Sequence, residues 1–147
     1  MAHTMRVFQR MRIAVVCAAG RNREKLLTLC RSLARGIMAQ GHQVDVVDAT
    51  TDGNARLTSY QYLAIGSEGT TLFTGKLPEV AARFLKAAGT VAGKRSYAFV
   101  FKGRIGYRRA LLRLMQAMES EGMYLKNSGV LATEGEAEAV GQRLQVD

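Results

Sequence analysis

Five short apolar runs separated by helical spacing constrain this chain more than any other feature. The runs are Ile13-Ala14-Val15-Val16-Cys17, Val44-Asp45-Val46-Val47, Tyr62-Leu63-Ala64-Ile65, Tyr97-Ala98-Phe99-Val100-Phe101 and Gly129-Val130-Leu131-Ala132. Most are nearly continuous rather than alternating. Strands buried on both faces read this way, which points to a parallel sheet covered by helices. After the first run, Leu26, Leu29, Cys30, Leu33 and Ile37 form one apolar stripe at helical spacing, ended by Gly41. After the third, Pro78 suits a first helical turn. Val80, Ala81, Phe84, Leu85 and Ala88 follow, with Gly89 as the stop. Leu111, Leu114, Met115 and Met118 repeat the spacing before Gly122, and Ala137, Val140, Gly141 and Leu144 mark a weaker last helix.

Between the second and third runs only Ala49 to Ser59 remain, with turn chemistry at Asp52-Gly53-Asn54. A helix there is short or absent. Strands alternating with helices imply an α/β fold, a doubly wound five-stranded parallel sheet with right-handed crossovers and helices on both faces. Residues 11–147 read as a single domain, and 1–10 as a leader or extension expected to be disordered. No apolar run approaches the roughly 20 residues of a membrane span. Two cysteines, Cys17 and Cys30, are too few for a disulfide framework, and no metal-ligand spacing occurs. A reducing, cytoplasmic setting is the expectation. Cys17 reads as a small buried filler and His42 as a solvated turn residue.

In open parallel sheets, ligands bind beyond the carboxyl ends of the strands, where the strand order reverses. Three loops should meet there: Ala18 to Arg23, Gly66 to Gly75 and Lys102 to Arg109. The first joins a buried strand to a helix start, where free backbone N–H groups favour an anion. The second holds three glycines and four Ser/Thr hydroxyls in ten residues, and glycine permits close backbone approach to a ligand. The third places Tyr107 between Gly106 and two arginines. Loops one and three supply Arg21, Arg23, Lys102, Arg104, Arg108 and Arg109, a substantial part of a formal net charge of +9. Such a rim suits a phosphorylated or otherwise anionic ligand, or an acidic partner. An even coat of solvated Lys and Arg is the plainer alternative, and Tyr107 capping the core is another.

Several of these stretches together resemble the flavodoxins. Leu57-Thr58-Ser59-Tyr60-Gln61-Tyr62-Leu63-Ala64-Ile65-Gly66-Ser67 is similar to that family's Leu, Tyr-Asp pair, apolar strand and Gly-Ser. Gly75-Lys76-Leu77-Pro78 with Phe84-Leu85, Gly93-Lys94 with the strand to Phe101 and Lys102-Gly103, and the helix before Glu121-Gly122 resemble its later motifs. The resemblance covers about residues 11 to 145. It implies strand order 2-1-3-4-5, non-covalent FMN as cofactor, and electron transfer as a redox carrier or flavin-dependent reductase. It implies that Gly20, Arg21, Asn22 and Arg23 hold the FMN phosphate. Ser67, Glu68, Gly69 and Thr70 would flank one side of the flavin, and Gly103, Gly106 and Tyr107 the other. A side-chain acid or base is not required, so no catalytic residue is assigned.

The sequence departs from the family at two places. The family's phosphate loop is Ser/Thr-x-Thr-Gly-x-Thr, whereas Ala18, Ala19 and Asn22 stand near those hydroxyl positions. Glu68 stands where the family often has proline, so a carboxylate would repel an anionic flavin or accept from a ring N–H. Flavodoxins are typically acidic and this chain is basic, which implies an acidic redox partner. A flavodoxin-fold module that has lost FMN, and binds or regulates a partner through its basic loop edge, therefore stands beside the FMN reading. Specific nucleic-acid binding is not expected, because no recognised motif or aromatic-interleaved basic stripe is present.

Overall fold

The computed structural model describes residues 9–69, 76–103 and 106–147. Thr70, within the second loop, and Arg104 and Ile105, within the third, lie outside them, as do residues 1–8. The described elements run β1 (Arg12–Ala18), α1 (Arg23–Ala39), β2 (Gln43–Asp48), β3 (Tyr62–Ser67), α2 (Glu79–Ala87), β4 (Arg95–Phe101), α3 (Tyr107–Ser120), β5 (Tyr124–Leu131) and α4 (Glu134–Arg143). All strand pairings are parallel, and the sheet order is β2-β1-β3-β4-β5. The expected flavodoxin-like order is thus the observed one. No helix is assigned between β2 and β3, where turns occupy the connection.

Alternation along the central strands divides the core in two. Ile13, Val15 and Cys17 of β1 join Leu26, Leu29, Cys30, Leu33 and Ile37 of α1, with Ala137 of α4, on one face. Ala14, Val16 and Ala18 face the other way, into a cluster with Phe84 and Leu85 of α2 and Leu114 and Met118 of α3. Burying both faces of β1, β3 and β4 is why their sequences read as unbroken apolar runs. Among the described residues, no helix is long and apolar enough to cross a membrane.

Two expectations are corrected. β5 begins at Tyr124, not Gly129, and ends before Ala132. It is an edge strand and half exposed, so it carries Lys126, Asn127 and Ser128, which hide it from an apolar-run reading. His42 is not solvated. It is 8% exposed, and its Nδ1 accepts the Met11 N–H at 3.1 Å.

Candidate functional site

Parallel pairing brings β1 and β3 to a common end, with Ala18 opposite Ser67. The strand order reverses at β1 and β3, because β1 is flanked by β2 on one side and β3 on the other. The first two loops leave from this point. Ser67 Oγ donates to the Ala18 carbonyl at 2.7 Å and fastens the loops together. One residue on, Glu68 turns its side chain into the first loop. Its Oε1 accepts two backbone hydrogen bonds, from Gly20 N–H and from Asn22 N–H, each at 2.9 Å.

These donors belong to the turn that opens α1. The Asn22 carbonyl accepts the Leu26 N–H at 3.0 Å, so Asn22 is the cap residue, but its own side chain makes no cap bond. Glu68, distant in sequence, accepts instead from the two N–H groups of the turn just before the helix. Negative charge at a helix N-terminus is favoured by the macrodipole. Glu68 is 3% exposed, and its second oxygen, Oε2, is buried without a hydrogen-bond partner among the described residues.

Apart from Arg21, the first loop offers little else to an anion. Ala18 and Ala19 are buried and carry no side-chain donor. The Arg23 Nε donates to Asp48 Oδ2 at 2.9 Å, Nη2 reaches the same oxygen, and Nη1 lies 3.9 Å from Glu24. The Asp48 carboxylate raises the Arg23 pKa, first through this hydrogen bond. Arg21 is exposed on the loop. Asp48 was not singled out from the sequence, although it ends β2 beside Cys17 of β1.

Of the residues placed by resemblance, Gly20 and Asn22 are joined to Glu68 by these hydrogen bonds, and Ser67 is bonded to the neighbouring Ala18 carbonyl. Arg23 points to β2. Gly69 is half-buried, and Thr70 lies outside the described residues. On the β4–α3 connection, Gly103 is exposed and Gly106 takes a left-handed conformation, φ +84°, as the cap of α3. Tyr107 is half-buried and packs against the α2–α3 side of the core. Farther along α3, Arg108, Arg109, Leu112, Arg113 and Gln116 line a shallow concavity of about 430 Å³, with Leu112 55% exposed. Leu112 and Arg113 were not among the sequence candidates. Their signal is an apolar residue on the polar side of the helical stripe.

No protein-family model matches the sequence, and no curated protein matches it. Solved structures do match. Oxidised flavodoxin 1 from Bacillus cereus is similar with a TM-score of 0.67 at 16% identity, over 90% of this chain and 92% of that one. The flavodoxin WrbA-like protein from Agrobacterium tumefaciens gives 0.66 at 14% identity, over 90% and 94%. A flavodoxin from the domain Archaea gives 0.63 at 14% identity, over 90% and 95%.

The flavin phosphate implied by the resemblance does not fit the first loop as it stands. A phosphate in this loop would have to share the Gly20 and Asn22 amides with the buried Glu68 carboxylate, and two anions at one point repel. The first loop itself has no hydroxyl to replace them. By sheet order, layering and structural likeness, the chain has the flavodoxin-like fold.

Proposed function

We propose that this flavodoxin-fold chain works as a binding or regulatory protein through the basic rim of its sheet, without a flavin. The observation that carries this reading is the Glu68 carboxylate on the Gly20 and Asn22 amides. A flavin phosphate would have to displace a charged group that is both buried and charge-assisted in its hydrogen bonds. Arg21, Lys102, Arg108 and Arg109 are exposed along the same end of the sheet and the start of α3. With a net charge of +9, this rim steers toward an acidic partner surface. The exposed Leu112, set among arginines, supplies an apolar contact of the kind that anchors an interface.

The second reading is FMN binding with electron transfer. It is favoured by the parallel sheet, in which β1, β3 and β4 end on one side, and by the half-buried Tyr107 at the start of α3. The visible spectrum of the purified chain and its quenching of FMN fluorescence separate the two. A colourless protein that leaves micromolar FMN unquenched is expected. A yellow protein, or saturable quenching, would establish the flavin reading instead.

A further inference from the structure

Two amides two residues apart, Gly20 N–H and Asn22 N–H, converge on one atom at 2.9 Å each. Convergent backbone amides form a concave nest for an anion. This nest immediately precedes α1, a helix of 17 residues, whose dipole adds to the same potential. The atom at the focus belongs to the chain itself, from residues 48 and 46 positions onward. Glu68 is 3% exposed, and its Oε2 has no hydrogen-bond partner among the described residues. Buried polar atoms are nearly always paired, and leaving one unpaired is costly. The carboxylate is therefore positioned by what Oε1 does in the nest, and not by satisfaction of the whole group.

Loop composition fits the same picture. In the three rim loops, Glu68 is the sole acidic residue. Ala18 and Ala19 are buried and bring no hydroxyl. With a carboxylate supplied internally, additional donors have nothing to bind.

We propose that the Ala18–Asn22 turn is a standing anion site whose built-in occupant is the Glu68 carboxylate, and that a free phosphate group occupies it when that carboxylate is removed. The site is self-inhibited in the native chain: an external anion enters only by displacing Glu68. This rests on the reading above that no flavin phosphate sits in the loop.

The test compares thermal melts of the native chain and Glu68→Ala in sodium chloride and in sodium phosphate of matched ionic strength. The native melting temperature is expected to be the same in both salts. Glu68→Ala is expected to melt lower in chloride and to gain about 3–5 °C in phosphate, saturably. Equal phosphate responses in the two proteins would overturn the proposal. If Glu68→Ala does not fold, Glu68→Gln carries the test, because its neutral amide keeps the side chain's volume but holds both N–H groups less strongly than a carboxylate and no longer repels phosphate. In that variant the Gly20 and Asn22 amide resonances should shift saturably with phosphate while those of the native chain do not; immobile resonances in both overturn it. FMN quenching by the native chain would instead overturn the flavin-free reading, so the two failures are distinguishable.

Discussion

Gly36 of α1 and Gly141 of α4 meet so closely that neither position has room for a side chain. A Cβ on Gly36 would lie 2.2 Å from the Glu138 carbonyl oxygen, and one on Gly141 would lie 2.3 Å from the Leu33 carbonyl oxygen. Both obstacles are backbone, so a methyl group must push the helices apart. Gly36→Ala and Gly141→Ala are each expected to cost about 3 kcal/mol, which lowers the melting temperature by about 6–12 °C in a chain of this size. Gly135, in the first turn of α4, has nothing within 4 Å of a built Cβ. Gly135→Ala is expected to stabilise by about 0.5 kcal/mol through helix propensity. Thermal melts that moved all three variants in one direction would contradict this packing.

Tyr60 Oη donates to the Asp45 carboxylate at 2.6 Å. Burial, and then that hydrogen bond, raise the Tyr60 pKa from 10 to about 12. A raised folded value means stability that is fully present below the unfolded value and lost as pH rises through the folded one. Denaturant melts should therefore weaken between pH 10 and 12. Tyr60→Phe is expected to cost about 1 kcal/mol at pH 8 and to flatten that alkaline decline. An unchanged slope in the variant would remove Tyr60 from the explanation.

His42 behaves oppositely. Burial lowers its pKa, with Asp147 opposing weakly, and Nδ1 must stay unprotonated to accept the Met11 N–H. A depressed value means stability present above the unfolded pKa, ordinarily 6.5, and lost as pH falls through the folded one. The melting temperature should fall on acidification below neutrality, and His42→Gln, which keeps a neutral acceptor, should fall less steeply. Equal slopes would contradict it.

What was legible in the sequence follows from locality. The stripe Leu26, Leu29, Cys30, Leu33 and Ile37 is buried throughout, because one helical face meets one sheet face. The runs of β1, β3 and β4 were visible because both their faces are covered. Edge strand β5 was partly hidden, since a half-exposed strand tolerates Lys126 and Asn127. Gly141 was visible as part of a stripe, but its close approach to Gly36 depends on how two distant helices pack.

At the rim, Gly20, Asn22, Ser67 and Glu68 could be named from fold likeness, while the direction of the Glu68 side chain could not. Its hydrogen bonds span 48 and 46 residues and leave no periodic trace. A signal was nevertheless present. A turn without hydroxyls leaves its N–H donors to an acceptor from elsewhere, and only one rim residue, Glu68, carries a carboxylate.

On the proposed reading, Glu68 Oε1 holds the Gly20 and Asn22 amides against any external phosphate. The most direct measurement is an amide ¹H–¹⁵N titration of the native chain with FMN. Gly20 and Asn22 resonances that stay fixed as FMN reaches millimolar concentration are the expected result. Saturable movement of both would contradict the account, because it would mean that the carboxylate yields its place to the flavin phosphate.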